Sequence, residues 1–288
     1  MAIRVCLAGA TGWAGSALAR GIGRTEDIEL VAAVSRRQAG RRLGEVLGGG
    51  AGDGGGAGGA GAGDGGPRDA RGLDVPVFGQ VGEALAVGCD VYFDYTKPEV
   101  AKANCLAALG RGVSVIIGTS GLTEGDFREI ATAAASAGRA VLAVGNFALT
   151  VVLLQKFAEI AARYIPQWEI IDYASATKPD APSGTTRELA SRLSACGPSK
   201  LGIPLEKTQG LIEARGASLE GSQIHSIRLP GYSISAEVIF GMPDQRLSIR
   251  HDAGSGAEPY VEGALLAIRK VGALAGLHRG LDAVMDLG

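Results

Sequence analysis

The chain is poor in the residues that build metal centres. Its four cysteines (Cys6, Cys89, Cys105 and Cys196) form no CxxC pair, and histidine occurs only at 225, 251 and 278. A Cys/His metal site is therefore not expected. No strongly basic block is present either: 28 Lys+Arg against 30 Asp+Glu leave a formal charge of −2, which argues against a nucleic-acid surface. Long apolar runs are missing. The longest, such as Val113–Ile117 and Val141–Val144, are far too short to cross a bilayer. The opening residues, Met1-Ala2-Ile3-Arg4-Val5, lack the charged start, apolar run and cleavage site of a signal peptide, so a cytoplasmic location is expected.

What is present is enough apolar material for a substantial core: 288 residues, 46% of them hydrophobic, suggest one large or two ordinary domains. Glycine is abundant (46 residues) and uneven, and the segment from Gly48 to Gly66 is Gly and Ala interrupted only by Asp53 and Asp64. Such a segment offers little apolar area to offset the entropy of ordering it, so it reads as a disordered surface insertion. The same strand–helix rhythm continues on both sides, which excludes a domain hinge there.

Residues Ile3–Ala8 form a continuous apolar run ending in glycines, the pattern of a strand buried on both faces of a parallel sheet. A Gly/Ala helix from Trp13 to about Gly23 follows. Strands are expected at Glu29–Val34, Val75–Phe78, Asp90–Asp94, Val113–Ile117 and Ala140–Val144, with helices at Pro98–Leu109 and Thr123–Ala137. This alternation predicts an α/β fold with a Rossmann-type doubly wound parallel sheet.

The rhythm then changes. A helix at Leu149–Tyr164, a strand at Glu169–Ala176 and a helix at Thr185–Leu193 precede three closely spaced strands at Ser222–Leu229, Ser233–Phe240 and Arg246–His251. Short turns at Pro230-Gly231 and Gly241–Asp244 predict an antiparallel or mixed sheet in a second, α+β domain. A last helix is expected over Glu258–Ala275.

Gly9-Ala10-Thr11-Gly12-Trp13-Ala14-Gly15 follows the first strand and opens a helix. Glycines there let the backbone turn tightly and approach a pyrophosphate at the helix N-terminus, although the spacing is GxxGxxG and an ordinary strand–helix turn would look similar. The second strand runs into Ser35-Arg36-Arg37, where an NAD-binding strand would carry an acid for the ribose hydroxyls. Two guanidiniums and a hydroxyl suit a 2′-phosphate, so NADPH is the expected cofactor, with NADH possible. A solvated basic turn is the alternative, since Arg41 and Arg42 continue the charge. Asp94-Tyr95-Thr96-Lys97-Pro98 and Gly118-Thr119-Ser120-Gly121 lie just after parallel strands, where ligands of open α/β sheets bind. In Ile170–Thr186, Lys178 sits just before Ser183-Gly184-Thr185, which open a helix. Hydroxyls and free N–H groups at a helix start, with an ammonium nearby, form a receptor for a carboxylate or phosphate.

Lys178-Pro179-Asp180-Ala181-Pro182-Ser183-Gly184-Thr185 resembles the KxDAPSGT signature of the dihydrodipicolinate reductase family, which acts in the diaminopimelate–lysine pathway. The resemblance spans nearly the whole chain. The glycine loop at 9–15, Asp94–Glu99, Ile117–Gly121, Gly145-Asn146-Phe147, Ile227–Gly231 and Ile249-Arg250-His251-Asp252 match it in order. It implies a nucleotide-binding domain built from both chain ends (1–148 and 256–288), a substrate-binding and oligomerisation domain at 149–255, a homotetramer, and use of NADH or NADPH. Taken with the readings above, the expected cofactor-binding residues are Gly9, Thr11, Gly12, Trp13, Ala14, Ser35, Arg36, Arg37, Tyr95, Thr96, Gly118, Thr119, Ser120, Asn146 and Phe147. Ser175, Ser183, Gly184 and Thr185 are the implied substrate contacts.

The departures from the family are as informative. Its usual E-x-H-H-x-x-K carries a proton-donating His and a substrate-binding His, and here those places hold Ala174 and Ser175. A family Arg before the last helix is replaced within Gly254-Ser255-Gly256. If the strand through Ala176 is regular and continues, Ala174, Ala176 and Lys178 share one face and Tyr173, Ser175 and Thr177 the other. Lys178, or a water it holds, is then the expected acid. Three readings follow: an NAD(P)H-dependent reductase of a small carboxylated cyclic imine or related substrate outside lysine synthesis, a genuine 4-hydroxy-tetrahydrodipicolinate reductase with a substituted acid, and a catalytically weak NADPH-binding regulator.

Overall fold

A computed structural model describes residues 1–48 and 72–287. Most of the segment expected to be a disordered insertion, about 48–66, lies outside the described residues. Gly48 itself is the last residue of a helix. The chain divides into two compact units, Met1–Ala148 with Tyr260–Gly288, and Leu149–Pro259.

The first unit begins with β1 (Ile3–Ala8), α1 (Trp13–Gly23), β2 (Ile28–Val34), α2 (Leu43–Gly48), β3 (Val77–Phe78) and α3 (Val81–Leu85). It continues with β4 (Val91–Asp94), α4 (Pro98–Leu109), β5 (Ser114–Ile117), α5 (Glu124–Ala137) and β6 (Ala140–Ala143). Strands β1, β4, β5 and β6 are apolar almost throughout because helices cover both faces. One side of the core joins Tyr92, Val115, Ile117 and Val141 to Cys105, Leu109 and Ile130 of α4 and α5. Thr123 caps α5 through a reciprocal capping box with Asp126, so the helix starts one residue later than its expected boundary.

The second unit contains α6 (Leu149–Ala162), β7 (Trp168–Ala174), α7 (Gly184–Ser194), β8 (Ala217–Leu219), β9 (Ser222–Arg228), β10 (Ile234–Met242) and β11 (Gln245–Ala253). Its five strands run in the order β11-β10-β7-β9-β8, with β7 and β9 parallel and the other neighbours antiparallel. One face packs Trp168, Ile170, Ile224, Val238 and Phe240 against Leu154, Leu189 and Leu193 of α6 and α7. The chain then returns to the first unit with α8 (Val261–Val271) and β12 (Gly276–Arg279), completing a seven-stranded parallel sheet of order β12-β6-β5-β4-β1-β2-β3. The order reverses between β1 and β4, which opens a crevice at the carboxyl ends of those strands. This is a Rossmann-like sheet followed by a mixed-sheet α+β unit.

Several local expectations are corrected. Helix α8 ends at Val271 rather than Ala275, and residues 276–279 form an edge strand instead. Helices α2 and α3, five or six residues each, are too short to leave a periodic signal. Strand β7 stops at Ala174, and Ser175–Lys178 is a turn closed by the Lys178 N–H donating to the Ser175 carbonyl at 3.0 Å. Lys178 therefore does not continue the strand face of Ala174.

Candidate active site

In the first unit the expected cofactor residues gather at the carboxyl ends of β1, β2, β4, β5 and β6. Gly9 adopts φ +79°, and a Cβ there would lie 2.1 Å from the Tyr95 carbonyl oxygen. A Cβ on Gly15 would lie 2.1 Å from the Gly9 carbonyl oxygen. Glycine is thus obligatory at both ends of this turn. Gly12 precedes α1 without a side-chain cap, and no acid stands in the first turn. The N–H groups of Trp13, Ala14 and Gly15 have no intrahelical acceptor and face no competing anion there, so the loop fits a pyrophosphate. Trp13 is exposed and meets Tyr260 edge-on at 5.6 Å.

Ser35 follows β2, and its hydroxyl lies 2.8 Å from that of Thr11, joining the glycine loop to the position expected to read the ribose. Arg36 and Arg37 follow in a short 3₁₀ turn, both exposed. Among the described residues no acid pairs with either guanidinium. Tyr95, Phe93 and Phe147 form an aromatic cluster with centroids 4.8–5.7 Å apart. A Cβ on Gly118 would sit 2.2 Å from the Tyr95 ring, so the glycine admits that ring beneath the loop after β5. The Asn146 carboxamide oxygen accepts from the Ala148 N–H at 2.9 Å and fixes the turn after β6. Ser120 is exposed at the rim.

Asp94, at the end of β4, heads an expected ligand loop, but its own part was not read from the sequence. It is fully buried, and Thr96 and Thr119 both donate hydroxyl hydrogen bonds to its Oδ1, at 2.7 and 2.6 Å. One carboxylate thus clamps two of the loops that carry expected cofactor contacts. An acid closing the apolar run Val91-Tyr92-Phe93 was the available signal.

In the second unit, Ser183, Gly184 and Thr185 open α7. The Ser183 hydroxyl accepts from the Thr186 N–H at 3.4 Å and donates to its Oγ1 at 3.2 Å, and Ser183 is buried. Its hydroxyl is therefore spent on capping, and the groups left to meet a ligand are the N–H groups of Gly184 and Thr185, which have no intrahelical acceptor. The Lys178 ammonium lies 2.7 Å from Asp180 Oδ1, and the Arg187 guanidinium lies 3.9 Å from Asp180 Oδ2. Hydrogen bonding to Lys178 holds the Asp180 carboxyl below its usual range, opposed by a little desolvation. Arg187 also donates to the Pro182 carbonyl at 2.5 Å, and its Nη2 would be 3.9 Å from a Cβ on Gly184. One acid thus stands between two cations beside an open helix N-terminus.

Beneath this turn lies Asp172, fully buried on β7. Its Oδ2 accepts from the Ser183 N–H (3.0 Å), Arg228 Nη2 (2.7 Å) and the Ser226 hydroxyl (3.1 Å), while Oδ1 accepts from the Thr186 hydroxyl (2.9 Å). Burial raises its carboxyl, but the hydrogen bonds from Ser183, Arg228 and Thr186 outweigh that and hold it below the usual range. Ala174, which stands where the family carries its proton-donating His, shares this face and is fully buried. Ser175 is only partly accessible, and its hydroxyl lies 3.0 Å from that of Thr177. Tyr173 points to the opposite face, donating to Glu237 at 3.0 Å beneath the Arg250 guanidinium. Among the described residues no group of His, Cys, Asp and Glu is placed to hold a metal ion.

Comparison with known proteins finds relatives along the whole chain. The family models described as the N-terminus and the C-terminus of dihydrodipicolinate reductase match residues 62–147 and 150–285. The chain is 35% identical over 287 residues to the 4-hydroxy-tetrahydrodipicolinate reductase of Desulfitobacterium hafniense, covering 99% of each. It is equally similar, at 35% over 288 residues, to that of Geobacillus thermodenitrificans, covering 99% of this chain and 100% of the relative. Among solved structures, a dipicolinate-bound dihydrodipicolinate reductase from Paenisporosarcina sp. TG-14 superposes with a TM-score of 0.83 at 29% identity, covering 99% of this chain and 100% of that one. An amine dehydrogenase from Mycobacterium smegmatis shares the fold alone (TM-score 0.64, 15% identity, coverage 99% and 97%). With both halves of the chain matched and relatives aligned end to end, the chain belongs to the dihydrodipicolinate reductase family.

Proposed function

We propose that the protein is an NADPH-dependent 4-hydroxy-tetrahydrodipicolinate reductase, with Lys178 taking over the acid role that His holds elsewhere in the family. The observation that carries this reading is the pair of cations, Lys178 and Arg187, held by Asp180 beside the open N-terminus of α7. A substrate with two carboxylates is served by more than one positive group, and Arg187 supplies a second cation in a chain whose family Arg is replaced within Gly254-Ser255-Gly256. The alternative of a relative turned to a substrate outside lysine synthesis finds no support in the full-length relatives, which carry the lysine-pathway reductase's name.

The nicotinamide ring, when bound, supplies a hydride. The glycine loop at 9–15 holds the pyrophosphate through backbone N–H groups, and Ser35, Arg36 and Arg37 take the 2′-phosphate. Tyr95, Thr96, Gly118, Thr119, Ser120, Asn146 and Phe147 border the ring. Gly184 and Thr185 N–H groups take one substrate carboxylate. Lys178 then both attracts the substrate's charge and delivers a proton, directly or through a water, to the atom left electron-rich by reduction.

Initial-rate measurement of NADPH oxidation with freshly generated 4-hydroxy-tetrahydrodipicolinate tests the reading. Turnover that saturates with substrate is expected. Protein that binds NADPH but oxidises none of it would favour the regulatory reading instead. The homotetramer and the cytoplasmic location belong to the same proposal, and light scattering of the purified protein measures the former.

A further inference from the structure

We infer that Asp94 acts on the cofactor as a buried charge, favouring the oxidised, cationic nicotinamide over the reduced, neutral one. The inference rests on the proposed nicotinamide-dependent reading. Asp94 is 0% exposed at the carboxyl end of β4, beside the reversal of strand order. Five donor groups meet its carboxylate. Oδ1 accepts from the Thr96 N–H (3.0 Å), the Thr96 hydroxyl (2.7 Å) and the Thr119 hydroxyl (2.6 Å). Oδ2 accepts from the Tyr92 phenol (2.6 Å) and the Asn104 carboxamide (3.2 Å). All five donors are neutral, and among the described residues no Lys, Arg or His forms an ion pair with Asp94. The contrast with Asp172, whose carboxylate is met by the Arg228 guanidinium, is direct.

Neutral donors solvate a buried carboxylate without cancelling its charge. The charge reaches its neighbours. Burial first, and then the field of Asp94, push the Tyr92 phenol and the Cys105 thiol well above their ordinary pKa values. Thr96 and Thr119, each one hydrogen bond from the carboxylate, lie in the loops assigned to the nicotinamide. Only an ionised carboxylate accepts from donors at both oxygens, so the clamp itself keeps the charge in place. A fixed anion near a ring that becomes positive as hydride departs lowers the energy of that change, and it needs no reorganisation at the moment of reaction.

The experiment compares dissociation constants for NADPH and NADP⁺, measured by calorimetry without substrate. The two ligands differ chiefly in the charge of the nicotinamide. Asp94→Asn deletes the carboxylate charge, and Asn104→Lys, at a partly exposed position, neutralises it from outside. Each is expected to weaken NADP⁺ relative to NADPH by about tenfold, the order of one unit charge acting across a partly buried site. Asn104→Ala, which keeps the charge and removes one donor, is expected to shift the ratio less than about twofold on the same basis. If Asp94→Asn fails to fold, Asn104→Lys carries the test. An unchanged ratio in a folded variant that binds both forms overturns the charge role and leaves the reductase reading standing. Wild-type protein that binds neither form overturns both.

Discussion

Asp172 and Ser183 are eleven residues apart in the chain, and the Ser183 backbone N–H donates to Asp172 Oδ2 at 3.0 Å. This bond, with the Thr186 hydroxyl on Oδ1, ties the first turn of α7 to the end of β7. The N–H groups of Gly184 and Thr185, proposed to take a substrate carboxylate, are thus positioned by a carboxylate buried beneath them.

Asp172→Ala should therefore damage both the fold and the substrate site. It strands Arg228, whose side chain is mostly buried, and removal of one partner of such a pair costs about 3 kcal/mol or more. Urea denaturation is expected to show that loss, and the KM for substrate in surviving folded protein should rise more than the KM for NADPH.

The same carboxylate predicts a pH dependence. Its folded-state pKa lies below the unfolded value of about 3.9, so its contribution to stability is full above that value. It is lost as pH falls through the folded pKa. Urea midpoints measured from pH 6 down to pH 2 should decline below about pH 4 in the wild type. In Asp172→Asn the decline should be shallower.

Lys178→Ala should lower kcat/KM by about 10²-fold or more, the span of a general acid, while Tyr173→Phe should change it by less than about threefold. The Tyr173 hydroxyl is committed to Glu237 on the other sheet face, and its loss costs about 1 kcal/mol of stability. An inactive Tyr173→Phe beside an active Lys178→Ala would identify the tyrosine as the proton donor.

Arg36→Asp should weaken NADPH binding by about 10- to 100-fold, because a charged hydrogen bond to the 2′-phosphate is replaced by repulsion. NADH binding should change little, which inverts the preference. Equal dissociation constants for the two cofactors in the wild type would contradict the 2′-phosphate assignment.

Gly118→Ala introduces a methyl 2.2 Å from the Tyr95 ring, with the Phe147 ring only 3.0 Å away. Neither ring has room to yield, because both pack with Phe93. A loss of about 1–3 kcal/mol is expected, together with weaker NADPH binding, read by thermal melting and by titration.

Much of the fold was legible because its signals are local. Apolar runs ending in glycine mark β1, β5 and β6, and the capping chemistry at Thr123 and Ser183 marks two helix starts. The illegible parts were short or depended on distant chain. Strand β12 has four residues and exists because it pairs with β6 more than 130 positions earlier. The end of β7 at Ala174 is set by the turn that follows it, so a strand face extrapolated to Lys178 misplaced that residue.

By itself the sequence determined the alternation that builds a doubly wound sheet, the glycine turn at its first strand end, and the Lys178–Thr185 segment that marks the family. Those features follow from residue type and spacing along one stretch of chain. Only the tertiary structure decided that Asp94 and Asp172 are buried anchors, one solvated by neutral donors and the other paired with Arg228. It also decided that Arg187 joins Lys178 around Asp180. The physical reason is that burial and hydrogen bonding between elements depend on which strands and loops meet, and chain spacing does not specify that.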